Sequence, residues 1–271
     1  MRCFLNIIKF PRNGPKTWIL SLGLGFFSIA TSACNQKNST AAAPVKAAAI
    51  ETPEVENSEP TMSTGPNARI LCKAPKGVNN DPRTIDELMT LINALPKPMT
   101  VACLIDALKG PFKVNATSNN FSGQPAYSSD LPRIFLLFGT QLFVAVVPKG
   151  EGGKAVEVSY RLANGSSVKG ELHFPVTENL AVDAPYTSII TSGQSGTICG
   201  GCHFPEVWAG AEFPISAFAS SFVLPIPEMN VTISRINKRA KICATEVADE
   251  CPVLEALFYQ GMPTAFKFED L

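Results

Sequence analysis

The sequence predicts a β-rich α+β domain: an antiparallel meander or sandwich with a few short helices, preceded by a disordered tether. Three observations carry this. Residues 131–174 alternate apolar and polar positions in short runs broken by turn signals. Helical periodicity is confined to short stretches on either side of them. Residues 35–67 are rich in Asn, Ser, Thr, Ala, Pro and Glu and almost free of large apolar groups. Such a segment buries too little surface to offset the entropy of ordering it.

The elements follow in chain order. The folded part is expected to begin near Arg69-Ile70-Leu71-Cys72. Thr84 followed by Asp86 and Glu87 opens a helix with Ile85, Leu88, Leu91, Ile92 and Leu95 on one face, and Pro96 and Pro98 stop it. Val101 to Leu108 is apolar and short, compatible with strand or helix. Residues 115–130, rich in Asn, Ser and Gly, read as a long loop. Ile134–Phe138 and Leu142–Val147 flank Gly139-Thr140-Gln141, a hairpin signal. Val156, Val158, Tyr160 and Leu162 alternate with polar partners up to Asn164-Gly165, a strong short hairpin turn. Val168, Leu172 and Phe174 return. At least four antiparallel strands are therefore expected, with one face on the core and the other toward water.

Beyond residue 190 the strand pattern fades. Thr191–Gly201 is a Gly/Ser-rich loop. Ile215, Phe218, Ala219 and Phe222 sit at helical spacing after Pro214, Val231 and Ile233 suggest a strand, and Pro252–Gln260 reads as a closing helix stopped by Gly261. The boundaries expected are a signal peptide at 1–33, a lipidated cysteine and flexible linker at 34–67, and one globular domain at 68–271.

The 271 residues carry 23 Lys+Arg and 23 Asp+Glu, so no basic excess exists to coat nucleic acid. Arg2, Lys9, Arg12 and Lys16 precede an apolar run from Trp18 to Ala30, followed by Thr31-Ser32-Ala33-Cys34. That run is short for a bilayer span, which takes about 20 residues. Basic start, short apolar core and small-residue exit define a secretory signal. Removing it deletes four basic residues and no acid, so the mature chain is mildly acidic.

The cysteine directly after Ser32-Ala33 makes residues 1–34 resemble a bacterial lipoprotein signal, with Thr31 where Leu is usual. The resemblance implies cleavage before Cys34 and lipidation of it. Asn35, which is not Asp, implies sorting to the outer membrane, facing the periplasm of the cell envelope. The membrane would then be a partner through the lipid anchor at Cys34. Cleavage after Ala33 or within Ala41-Ala42-Ala43 without lipid is the simpler alternative. Three phrases, Leu95–Val101, Gly123-Gln124-Pro125-Ala126 and Pro132-Arg133-Ile134-Phe135, resemble exported proteins of proteobacteria, themselves uncharacterised, that carry one Cys-x-x-Cys-His.

That motif is Cys199-Gly200-Gly201-Cys202-His203. Its form is the attachment signature of c-type haem. Two thiols three residues apart on a tight turn can meet the two vinyl groups of one porphyrin, and the adjacent imidazole can ligate the iron. With eight cysteines and two histidines in the chain, chance gives the pattern about twice in a thousand such sequences. The motif resembles c-type cytochromes over about ten residues, which implies haem c as cofactor and a redox partner protein. It departs from small cytochromes of that kind, where the motif opens an all-helical domain. The candidates for a sixth iron ligand are Met262, Met229 and His173, beside an open or water-filled position.

Cysteine arithmetic leaves alternatives. Cys3 leaves with the signal and Cys34 is the anchor, so six remain. If haem takes Cys199 and Cys202, then Cys72, Cys103, Cys243 and Cys251 can form Cys72–Cys103 and Cys243–Cys251. Without haem, six cysteines can pair in about 15 ways. That alternative is a disulfide-stapled lipoprotein acting as a binding or structural module. A zinc site from Cys199, Cys202, Cys243 and Cys251 suffers from the wide spacing of its second pair. A thiol oxidoreductase lacks the βαβ unit that accompanies Cys-x-x-Cys. Gly193-Gln194-Ser195-Gly196-Thr197 misses the final Gly of a nucleophile elbow, and Gly150–Lys154 lacks the flanking residues of a phosphate loop. An electron carrier or binding module is favoured over an enzyme.

Overall fold

The computed structural model describes Met62, residues 66–193 and residues 195–271. The signal peptide, Cys3, Cys34 and the bulk of the linker lie outside the described residues. Near residue 68 the expected boundary moves earlier. Met62 bridges Ile70, and the Asn67 amide donates to the Cys243 and Glu246 carbonyls at 2.8 Å each. Both residues therefore belong to the fold.

The architecture is α+β. Helix α1 (Ile85–Ala94) starts at Thr84, whose hydroxyl accepts from the Glu87 amide, and buries Ile85, Leu88, Leu91 and Ile92. Val101–Ala107 resolves as a helix, α2, capped by Thr100. Strands β1 (Lys113–Thr117), β2 (Arg133–Phe138), β3 (Leu142–Val146), β4 (Ala155–Arg161) and β5 (Ser166–His173) form an antiparallel meander. Asn164-Gly165 makes the β4–β5 turn, with Gly165 at φ 81°. A single turn of helix, α3 (Ala184–Thr187), packs on β5. Next come β6 (Glu206–Trp208), β7 (Phe218–Ser221), α4 (Ile233–Ile242), α5 (Cys251–Tyr259) and β8 (Thr264–Ala265). The eight strands form one sheet in the order β6-β7-β5-β4-β3-β2-β1-β8, antiparallel except for β1 with β8.

Three local expectations are corrected. The first part of the 115–130 loop is the end of β1, where Val114 and Ala116 alternate inward. The Ile215–Phe222 spacing is not helical. Residues 218–221 are strand β7, whose buried Ala219 pairs with Val168 of β5, so sheet pairing overrides local periodicity. Ile233 opens helix α4 rather than a strand, because Thr232 accepts from the Arg235 amide as its cap.

Residues opposite each other in a ladder share a face. The first face carries Val114, Ile134, Leu136, Val144, Val156 and Val168, packed with the helices in the main core. Each such side chain contributes about 1.5–3 kcal/mol of transfer free energy. The second face is mixed. Phe143 and Leu137 pack with Phe222, Phe266 and Phe268 in a smaller aromatic cluster. Beside it, Phe143 faces Ser159, Ser159 faces Lys169, and Glu157 faces Glu171. Charged groups thus line the β4–β5 part of the second face, above which the cysteine motif lies.

Candidate functional site

The motif sits in the link between α3 and β6. A small hairpin lifts it into place: Ile190 bridges Thr197, and the Ile198 amide donates to the Ile189 carbonyl at 2.9 Å. Ile198–Gly201 then forms a 3-10 turn, with the Thr197 hydroxyl accepting from the Cys199 amide at 3.1 Å. The Cys202 and His203 amides both donate to the Cys199 carbonyl, at 3.0 and 2.9 Å. Both cysteines and the histidine are therefore fixed on one turn.

Glu206 holds this turn from below. Its carboxylate accepts from the Thr197 amide at 2.7 Å and from the Thr197 hydroxyl at 2.5 Å. Its Oε2 lies so near Gly200 that an added Cβ would stand 2.5 Å away, whereas a Cβ at Gly201 would meet nothing within 4 Å. The first glycine of the motif is thus required by a carboxylate, and the second is free on this side.

His203 is clamped to β7 at one residue. The Ser221 amide donates to the His203 carbonyl at 3.1 Å, and the Ser221 hydroxyl to the Phe204 carbonyl at 2.8 Å. The His203 Nδ1 lies 3.0 Å from the Ser221 carbonyl oxygen. A carbonyl only accepts, so Nδ1 carries the proton and Nε2 keeps its lone pair in the neutral ring. Burial, and then the charge of Lys169, hold the imidazole below its ordinary pKa and favour that neutral form.

Among the described cysteines, Cys72–Cys103 and Cys243–Cys251 are disulfides, and Cys199 and Cys202 are free. The second disulfide removes two thiolates from the four-cysteine zinc set, which is thereby overturned. Among the described residues no group of three or more His, Cys, Asp and Glu is arranged to hold a metal ion. Burial, and then Glu157, push the Cys199 thiol up to about 11. It stays protonated at neutral pH, which does not suit a nucleophilic thiol of an oxidoreductase.

The remaining candidates fall elsewhere. His173 is at the end of β5, exposed, with Nε2 3.4 Å from Glu171. Met229 lies at the end of β1, where its carbonyl accepts from the Ser118 amide, and Met262 precedes β8. In the strand order β1 and β8 are five and six strands from β7, which holds His203. Neither methionine lies on an element that pairs with β7.

Around the motif, Ile198, Phe204 and Trp208 are exposed, at 61, 80 and 52 %. Among the described residues, clefts lie away from it. One of about 240 Å³ is lined by Arg83, Lys109 and Lys113, and one of about 380 Å³ by Ile85, Tyr160, Tyr186 and Phe213. Sequence reasoning found the three motif residues but missed Glu206, Ser221 and Lys169, which support them. Thr197 carried a capping signal two residues before Cys199. The others come to the motif through strand pairing. Among the described residues no helix is long and apolar enough to cross a membrane. Comparison with family models, curated proteins and solved structures found no match.

Proposed function

We propose that the chain is a cell-envelope lipoprotein, anchored through Cys34, that holds one haem covalently at Cys199 and Cys202. His203 would ligate its iron, and the role is electron transfer or redox sensing with a partner protein. One observation carries this reading. The chain closes its other four described cysteines in disulfides and keeps two unpaired thiols on one turn, beside an imidazole whose Nδ1 is tied to a backbone carbonyl. Metal-ligating histidines are commonly held by such a bond on the other ring nitrogen, which fixes both tautomer and ring orientation.

The donor chemistry fits the group. Two thiols three residues apart can form two thioethers, and Nε2 of His203 offers a lone pair. When bound, haem supplies a one-electron iron couple. The chain's own contribution is to present both thiols, orient the imidazole through Ser221, and hold the turn through Glu206 and Thr197. The exposed apolar side chains Ile198, Phe204 and Trp208 supply surface that a flat macrocycle would cover.

A second reading, a disulfide-stapled binding or structural module without cofactor, draws on the two clefts, neither of which the motif lines. The readings separate on one preparation. The mature chain, made in a host with a working haem-attachment system, is expected to show a Soret band that survives denaturing electrophoresis. A colourless product from that host sinks the haem reading.

A further inference from the structure

We propose that Lys169 is a positioning residue for His203, acting through the Ser221 carbonyl oxygen that both side chains address. The inference rests on the haem reading above and deepens it.

The geometry is specific. Lys169 lies on the second face of β5, where it faces Ser159 of β4. Its Nζ donates to the Ser167 hydroxyl and lies 3.5 Å from the Ser221 carbonyl oxygen. The same oxygen accepts from His203 Nδ1 at 3.0 Å. The Val223 amide also donates to this oxygen, at 3.1 Å, so His203 and Val223 take its two lone pairs and the ammonium at 3.5 Å acts on it through its charge. Among the described residues Lys169 makes no salt bridge; Cys199, when it is a thiolate, and then Glu157 and Glu206 favour its charge, and Arg133 opposes it. A partly buried ammonium without a direct counter-ion is costly to keep. Burial draws it down to about 8, so at neutral pH it is still charged.

Two consequences have the same sign. An ammonium beside the Ser221 carbonyl polarises the oxygen toward itself and weakens it as an acceptor for Nδ1–H. The imidazole becomes a poorer electron donor at Nε2. The fixed positive charge behind the ring also disfavours the more positive ferric state. Both raise the reduction potential. A lysine that merely fills space under the turn would do neither.

The test uses the haem-loaded mature protein at neutral pH and reads its midpoint potential. Lys169→Met removes the charge at similar size and also removes a desolvation cost, so folding is not endangered. Lys169→Gln removes the charge but keeps a donor. Lys169→Arg keeps the charge. Both neutral variants are expected to shift the ferric-to-ferrous ratio toward ferric by on the order of tenfold, which is about 59 mV for one electron. The Arg variant is expected to stay within about threefold of the wild type, a shift of under about 30 mV by the same constant. Unchanged potentials in both neutral variants, or an Arg variant that shifts as far as they do, would overturn the inference while leaving the haem reading intact. A wild-type chain that carries no haem overturns both.

Discussion

Beneath α1 and α2 the protein is closed by a disulfide and filled. Cys72–Cys103 closes a loop across a sequence separation of 31, Leu88, Leu91 and Leu104 are fully buried, and the Arg69–Asp106 pair is bidentate. Around β6 and β7 the same chain does the opposite. Two thiols stay unpaired, large apolar groups face outward, Lys169 is charged and partly buried, and the Ser159 and Ser220 hydroxyls are buried without a hydrogen bond. A buried hydroxyl left unpaired costs about 1–3 kcal/mol. Folding explains the first region. The second keeps features that stability disfavours, which is where function is to be sought.

The contrast can be broken by substitution. The largest difference is expected between Leu104→Ala and Phe204→Ala. Leu104 is fully buried, so its truncation should cost about 2–5 kcal/mol in urea unfolding. Phe204 is 80 % exposed, so its truncation in the cofactor-free chain should stay within about 0.5 kcal/mol. Equal losses would mean that the motif region is packed as tightly as the helical side.

The cysteines give the next contrast. Replacing Cys72 and Cys103 together by Ser should cost about 3–4 kcal/mol, and Cys243 with Cys251 about 2–3, following the loop lengths closed. Cys199 and Cys202 replaced together should change the cofactor-free chain by less than about 0.5 kcal/mol. A substantial loss from that last pair would show that it is bonded in solution.

Within the motif the two glycines should differ. Gly200→Ala drives a Cβ into a carboxylate held by two hydrogen bonds and should cost about 1–3 kcal/mol. Gly201→Ala meets open space and should be near neutral. The same cost at both positions would contradict the placement of Glu206.

Two effects of pH extend the comparison. Burial favours a neutral Glu250, but hydrogen bonds from Arg239 and Lys149 outweigh it and hold the carboxyl below its ordinary value. Its contribution is present above pH 4.5 and is lost as pH falls through the folded value. Glu250→Gln should flatten stability below that point. Lys169 titrates lower when folded, at about 8 against 10.5, so the unfolded chain binds more protons between those values. Stability should therefore rise with pH across that window, and Lys169→Met should remove the rise. A rise of the same size in the Lys169→Met chain would assign it to another group.

Legibility in the sequence divides along the same line. Helices α1 and α5 and the β2–β5 meander were readable because capping, alternation and turn chemistry are local: Thr84, Val156-x-Val158, Asn164-Gly165 and Gly261 each act on near neighbours. Strands β6, β7 and β8 were not, since two to four residues with little alternation are strands only by virtue of their partners. Within the site, the spacing of Cys199, Cys202 and His203 was legible, and so was the pairing of the other four cysteines as one of the open alternatives. The supports were not. Lys169 reaches Ser221 across 52 positions of chain, and Glu206 reaches Gly200 because β6 lies beneath the turn.

In the haem reading, Cys199 and Cys202 remain unpaired because a macrocycle takes them. Peptide mass spectrometry of the mature chain, purified from a host able to attach haem, tests this most directly. The expected result is one haem covalently on the peptide spanning residues 199–203, with Cys72–Cys103 and Cys243–Cys251 intact. An unmodified peptide in which Cys199 and Cys202 are joined to each other would contradict the account.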